Sequence, residues 1–239
     1  MADRFSVAAH VVVADLDAPV LDPEDAHHLS SVLRLRPGEA VGATDGMGAW
    51  RLCRFRSRET LEADGGVVRP VRPGPTLTVA FAPVKGDRPE WAVQKLTEVG
   101  VDRIVLMHTE RSVVRWDGRR VSSHLDRLRK VARQALMQSR SCWLPDLSGV
   151  LGFSELAGGP GTARAARDGL PPSLSFPTVL IGPEGGWSPA EEAHGLPVVA
   201  LGPAVMRSET AAVAAGVLLS ALRAELVAPA GPASPAGDR

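Results

Sequence analysis

A chain of 239 residues has room for one large domain, or a large one and a small one, and at this size buries about two-thirds or more of its unfolded surface. Hydrophobic residues at 44% and charged residues at 23% sit at the globular average and exclude a disordered chain. Twenty-seven basic residues balance 27 acidic ones, so net charge by itself points to no partner class.

In chain order, Phe5–Val13 reads as a strand. The apolar stretch from Phe5 to Ala14 holds His10 and runs into Asp15 and Asp17. It is too short and too polar to cross a bilayer, and it lacks the basic start and cleavage site of a signal peptide. A cytoplasmic protein is the simplest expectation. Pro23–Leu33 is a short helix candidate, and Asp45-Gly46 is a hairpin signal before Trp50–Phe55. Three prolines and a glycine between Arg69 and Pro75 mark a linker, which divides residues 1–72 from residues 73–227.

Beyond the linker, strands and helices alternate. Thr76–Ala82 reads as a strand, and Pro89–Val99 as a helix with proline in its first turn and Gly100 as its stop. Ile104–His108 is another strand. From Arg119 to Ser139, Val121, Leu125, Leu128, Ala132, Ala135 and Leu136 recur at helical spacing. Thr178–Ile181 and Val198–Leu201 are short buried strands, each followed by Gly-Pro. Ser188-Pro189-Ala190-Glu191 is a capping-box start with Gly195 as its stop, and Ser208 is placed to cap a last apolar helix reaching Leu226. This alternation predicts an α/β fold with a parallel sheet. Residues 228–239, rich in Ala, Pro and Gly, read as a disordered tail.

Only three of the basic residues are lysines (Lys85, Lys95 and Lys130); the rest are arginines, which suit paired contacts to phosphate oxygens. Residues 1–72 carry nine Arg against 11 acids, whereas residues 103–140 carry ten Arg or Lys against three. That second stretch reads either as a solvated helix face or as a phosphate-binding surface, and its single sign favours the latter. Arg54, Arg56 and Arg58 alternate along a strand and add to it. Five Trp, five Phe and no Tyr argue against an RNA-binding sheet built on stacked aromatics. Cys53 and Cys142, 89 positions apart and outside any CxxC pattern, suggest neither a disulfide framework nor a zinc knuckle. His27 and His28 lack a second ligand cluster, so no metal is expected.

Two glycine turns follow predicted strands: Leu180-Ile181-Gly182-Pro183-Glu184-Gly185-Gly186-Trp187, and Leu201-Gly202-Pro203-Ala204-Val205-Met206-Arg207-Ser208-Glu209-Thr210-Ala211. They are either ordinary tight turns or the ligand-binding loops found at the carboxyl ends of parallel strands, where glycine lets backbone groups approach a ligand. Neither carries a Gly-Lys-Ser/Thr or GxGxxG phosphate fingerprint.

These turns resemble those of the small-subunit rRNA uridine-N3 methyltransferases, in the trefoil-knotted SPOUT class. Ala26-His27-His28-Leu29, Val32-Leu33-Arg34 and Pro37-Gly38 resemble the same family's N-terminal PUA-like barrel. Lys85-Gly86-Asp87-Arg88, Lys95 to Val101, Glu110 to Val114 and Gln138-Ser139 continue the likeness through the large domain, in order. The resemblance implies S-adenosyl-L-methionine held in the knot, a homodimer, 16S rRNA of the small ribosomal subunit as partner, and methylation of N3 on one uridine near the decoding region. By similarity, the cofactor-binding residues are Leu180, Ile181, Gly182, Pro183, Glu184, Gly185, Gly186, Leu201, Gly202, Val205, Met206, Arg207, Thr210 and Ala211. Arg4, His28, Arg34, Arg54, Arg56, Lys85, Arg88, Arg111 and Arg115 are the expected RNA contacts. Ala204 departs from the family pattern, which has arginine there, and Ser141 stands where an arginine is frequent.

Methyl transfer from a sulfonium is an in-line displacement governed by positioning, and the uridine imide must lose its proton. Glu209 is the carboxylate nearest the second loop; it reads either as a base or as a dipole-matching residue at a helix start. Arg207 reads as a stabiliser of the developing oxyanion, as a phosphate contact, or as a surface arginine. Glu184 reads as a structural partner of loop N–H groups. The leading reading is a uridine-N3 methyltransferase. A SPOUT enzyme acting on a ribose 2′-hydroxyl and a non-catalytic RNA-binding assembly factor are the alternatives.

Overall fold

A computed structural model of the chain describes residues 4–57, 60–116, 118–147 and 149–228; Arg58 and the expected tail beyond Ala228 lie outside them. Two units result. The first comprises Met1–Arg72 and Lys130–Leu144, and the second Pro73–Arg129 and Pro145–Arg239. The linker divides them at Arg72, but residues 130–144 pack with the first unit rather than with the sequence around them.

The first unit holds a four-stranded sheet, β1 (Ala9–Val12), β2 (Ala40–Thr44), β3 (Trp50–Phe55) and β4 (Leu61–Ala63), in that order. The β2–β3 hairpin turns at the expected Asp45-Gly46, where the Asp45 carboxylate accepts the Met47 N–H at 2.7 Å and the Ala49 N–H at 3.0 Å. Val11, Leu29, Val41, Ala43 and Cys53 fill the core under the sheet. The helix expected over 23–33 changes character halfway. Asp22 caps α1 (Pro23–His27), and His28–Val32 is a π-helical turn. Ser30 at that change donates to the Ala26 carbonyl at 2.7 Å, a bond that bends helices.

Residues 130–144 complete this unit through polar contacts. Arg133 donates to the Asp25 carboxylate at 2.5 Å and to the Val12 carbonyl at 3.2 Å. The Gly48 N–H donates to the Cys142 carbonyl at 2.8 Å. His10, 6% exposed, meets the Ser141 carbonyl through Nε2 at 3.0 Å, and its Nδ1 has no partner. Burial, helped by Arg4 and Arg140, pulls the His10 pKa down to about 4 although the Ser141 bond opposes it. The unfolded imidazole takes up a proton near pH 6.5 and the folded one only near 4. Stability contributed by neutral His10 is therefore complete above pH 6.5 and is lost as the pH falls toward 4, by about 3 kcal/mol at most. Urea midpoints followed between pH 4 and 7 should fall on acidification, and His10→Gln should flatten that slope.

The second unit is α/β. Its six strands are parallel: β5 (Thr78–Phe81), β6 (Arg103–His108), β7 (Val150–Gly152), β8 (Thr162–Leu170), β9 (Thr178–Ile181) and β10 (Val198–Val199), in the order β10-β8-β9-β5-β6-β7. Its helices are α2 (Arg88–Glu98), the part of α3 (Gly118–Ser139) before Lys130, α4 (Phe153–Ala157), α5 (Pro189–Ala193) and α6 (Ser208–Arg223). β5, β6 and β9 read as continuous apolar runs because the sheet is covered on both faces. β7, α4 and β8 have no counterpart among the sequence-predicted elements.

Helices α2 and α6 pack closely at Gly216, where a Cβ would lie 2.6 Å from Leu96 Cδ2. At the end of α6, Arg223 donates to the Gly100 carbonyl at 2.6 Å and to the Asp102 carboxylate. Asp102 also accepts the Leu77 N–H at 2.7 Å, so one buried ion pair ties together the entry to β5, the segment after α2 and the last helix. From β5 the chain lays β6 and β7 outward on one side, then places β9, β8 and β10 on the other. The junction of β5 and β9 is thus a topological switch point, where open parallel sheets bind ligands.

Candidate active site

Three segments leave the carboxyl ends of strands on this side of the sheet: 82–87 after β5 and 182–188 after β9 at that junction, and 200–207 after β10 at the sheet's edge. The 182–188 loop is held from several sides. Gly182 lies flat against the Trp187 indole, with room for a Cβ only at 3.1 Å. Trp187 in turn donates through Nε1 to the Ala165 carbonyl of β8 at 2.9 Å. The Gly185 carbonyl accepts Arg111 Nη1 at 3.0 Å. Ser188 and Glu191 form the expected capping box on α5, and buried Glu191 also accepts the Glu110 N–H at 2.9 Å.

The second loop ends differently from the sequence expectation. Arg207, not Ser208, is the N-cap of α6, in extended conformation at φ −65° and ψ 155°. Ser208 is the first helical residue, and its buried Oγ has no partner. The helix dipole still meets a carboxylate in its first turn, Glu209.

Between these loops and β8 lies a cavity of about 500 Å³. Of the residues expected to bind the cofactor, Ile181, Gly182, Pro183, Glu184, Gly186, Leu201, Gly202, Val205, Met206, Arg207 and Ala211 line it. Leu180 does not; it is wholly buried in the sheet core. Gly185 faces Arg111 instead, and Thr210 lies on a neighbouring cavity. Ala204 is exposed on the rim of the first cavity. The structure adds Arg164, Ala165, Ala166 and Arg167 of β8, with Trp187, Glu192 and Ser208. Trp187 was legible as part of the glycine turn; β8 carried no strand signal.

The neighbouring cavity, about 610 Å³, shares Val205, Met206 and Arg207 with the first and is otherwise lined by Asp87, Arg88, Trp91, Glu209 and Thr210. The 200–207 loop therefore forms a wall common to both. Arg88 Nε stands 3.7 Å from Glu209 Oε1, and its Nη1 stands 3.6 Å from Glu184 Oε1. Glu209 is buried, and its Oε2 lacks a hydrogen-bond partner. Trp91 is 44% exposed, against less than 10% for Trp50, Trp116 and Trp187.

Several of the basic residues expected at the RNA are paired with carboxylates within their own unit. Arg54 pairs with Asp64 at 2.7 Å and Arg56 with Glu62, so carboxylates on and beside the antiparallel neighbour β4 neutralise that stripe. In the 103–140 stretch, Arg103 pairs with Asp146, Arg127 with Glu90, Arg129 with Asp126 and Arg133 with Asp25. The side chains of Arg119 and Arg120 lie outside the described ones. Lys85, Arg111 and Arg115 are exposed in the second unit, as is Arg34 in the first. Arg4 donates to Cys142 Sγ at 3.2 Å, and His28 lines a cavity of the first unit with Arg133 and Gln138. Burial pushes the Cys53 thiol up to about 11 and raises that of Cys142, which makes both poor nucleophiles. Among the described residues no His, Cys, Asp or Glu cluster could hold a metal, and no helix is long and apolar enough to cross a membrane.

Comparison with known proteins agrees across both units. An RNA methyltransferase domain matches residues 72–168 and 170–220, and an RNA methyltransferase PUA domain matches residues 21–63. The chain is 33% identical over 229 residues to ribosomal RNA small subunit methyltransferase E of Mycobacterium bovis, covering 84% of this chain and 87% of that one. It is 27% identical over 216 residues to the Bacillus subtilis protein of the same name, covering 79% and 84%. The crystal structure of the Neisseria gonorrhoeae ribosomal RNA small subunit methyltransferase E bound to S-adenosyl methionine superposes with a TM-score of 0.73 at 26% identity, covering 90% of this chain and 97% of that one.

Proposed function

We propose, since this chain belongs to the ribosomal RNA small subunit methyltransferase E family, that it transfers a methyl group from S-adenosyl-L-methionine to N3 of one uridine in 16S rRNA. The observation that carries this reading is the pair of cavities sharing the Arg207 loop. One is a cofactor pocket and the other receives the base, so the reacting atoms meet at the wall between them.

The first cavity suits the cofactor. Its 500 Å³ falls in the range of small-molecule sites. Gly182 and Gly202 leave backbone exposed along it, and two polar atoms, Arg164 Nε and Ser208 Oγ, are buried there without partners. When bound, S-adenosylmethionine supplies a methyl group on a positively charged sulfur, ready for displacement.

The second cavity suits a uracil ring. The edge of uracil that carries N3 presents an acceptor, a donor and an acceptor; Arg88, Glu209 and Arg207 offer a donor, an acceptor and a donor. Glu209 Oε2, buried and without a partner, accepts the imide proton as the N–CH₃ bond forms and the S–CH₃ bond breaks. The arginines stabilise the negative charge that spreads onto the two ring oxygens. The exposed Trp91 face stacks on a base taken out of the RNA. Val205, 80% exposed, and Val217 on α6, 44% exposed, leave apolar surface that supports a homodimer. The enzyme acts in the cytoplasm, where small subunits mature.

The test is incubation of the protein with labelled S-adenosylmethionine and unmodified small subunits, followed by mass spectrometry of the nucleosides. N3-methyluridine at a single 16S position is expected. A ribose-methylated product would reject the N3 assignment, and no transfer would reject the enzyme. Trp91→Ala is expected to raise KM for the subunit about 10-fold, the size of one lost stacking contact, with Trp91→Phe restoring most of it.

A further inference from the structure

We propose that Arg164 binds the carboxylate of the cofactor's amino-acid end, an assignment that rests on the cofactor reading of the first cavity. Arg164 is the third residue of β8, in register with Leu180 of β9 on one side and Val198 of β10 on the other. Its backbone N–H donates to the Pro197 carbonyl at 2.9 Å, which fixes the Cα from which the side chain reaches the cavity. The side chain is half-buried, and its Nε is buried with no hydrogen-bond partner. No carboxylate of the described residues lies within 4 Å of it as an ion-pair partner.

A guanidinium cannot shed its proton, so a buried and unpaired Nε–H on the cavity wall is a charged donor suited to an anionic acceptor. The other two arginines on the cavity, Arg167 and Arg207, are exposed and can be solvated by water. Arg164 is therefore the cavity arginine with a buried donor left for a ligand to meet. S-adenosylmethionine carries one anionic group, the carboxylate; its ribose and adenine offer only neutral acceptors. The planar fork of arginine meets that carboxylate with two N–H groups.

Isothermal calorimetry with two commercial ligands separates the contact from a general role in the cavity. S-adenosylhomocysteine has the carboxylate, and 5′-methylthioadenosine lacks the amino-acid end. Arg164→Met is expected to weaken S-adenosylhomocysteine about 10- to 100-fold, the range for a charge-assisted hydrogen bond. Methylthioadenosine should change by less than about 3-fold. Arg164→Lys keeps the charge without the fork and should recover part of the loss, which also covers the case in which the methionine variant does not fold. An equal loss for both ligands, or no loss for either, would overturn the assignment. If the unaltered protein binds neither ligand, the cofactor reading itself fails and takes this assignment with it; if it binds both and the variants match it, only the Arg164 contact is wrong.

Discussion

Replacing Glu209 with glutamine is expected to lower the single-turnover rate of methyl transfer about 10²- to 10⁴-fold, the span for removing a general base. The amide keeps the size of the side chain and can still accept from Arg88, but it cannot take the imide proton. Glu209 lines only the second cavity, so binding of S-adenosylhomocysteine should stay within about 2-fold of the unaltered protein. This split distinguishes a base from a residue that merely holds the first turn of α6, because a disturbed helix start would shift Ser208 and Arg207 and weaken the cofactor as well. A rate within a few-fold of the original would remove Glu209 from the chemistry and leave it as a dipole-matching residue. Rapid-quench single turnovers with labelled cofactor and small subunits give the rate directly.

The largest stability effect is expected at the Asp102–Arg223 pair. Both side chains are at least nine-tenths buried, and breaking such a pair from one side costs about 3–5 kcal/mol because the remaining charge stays in the interior. Asp102→Ala leaves the Arg223 guanidinium with only the Gly100 and Pro75 carbonyls and strips the Leu77 N–H of its acceptor. Asp102→Asn keeps that acceptor but leaves the Arg223 charge unpaired, so it should retain most of the loss. The double variant Asp102→Asn with Arg223→Met removes both charges and should recover most of the stability. Urea denaturation of the three variants checks the order; a double variant no better than Asp102→Ala would show that hydrogen bonds, not the unpaired charge, carry the cost.

What could be read from the sequence was whatever local chemistry decides. The Gly-Pro turn after Ile181, the capping box at Ser188 and the Asp45-Gly46 hairpin are each specified within a few residues, and each stands in the structure as expected, whereas the strand expected to reach Leu201 ends at Val199. β8 could not be read, because Thr-Ala-Arg-Ala-Ala-Arg has no strong preference for an extended chain; β9 and β10 impose it by pairing on both sides. That omission hid Arg164, and with it one wall of the cavity. The cap of α6 shifted by one residue because the extended conformation falls at Arg207, which leaves Ser208 inside the helix with its hydroxyl unpartnered.

The arginine stripe shows a different limit. The alternation of Arg54 and Arg56 is visible in sequence, but Asp64 and Glu62 become their partners only through the register of β3 with β4. Likewise, helical spacing marks α3 clearly while saying nothing of which unit its last turns join. The second cavity was partly legible: Glu209 and Arg207 stood out in the loop and Arg88 in the family likeness, whereas nothing marked Trp91, which comes from α2 more than a hundred positions earlier.

The allegiance of residues 130–144 has a consequence for how the protein is made. Asp25 waits for Arg133 across 108 positions, and His10 waits for Ser141 across 131. At about 5–20 residues per second of translation, the ribosome needs roughly 5–20 s to deliver the arginine after the aspartate has been polymerised. Throughout that interval the N-terminal strands lack the polar partners that complete their unit, although they emerge before the second unit. The order of synthesis is therefore not the order of closure: the part of the chain made first is finished only when much of the second unit's first half already exists.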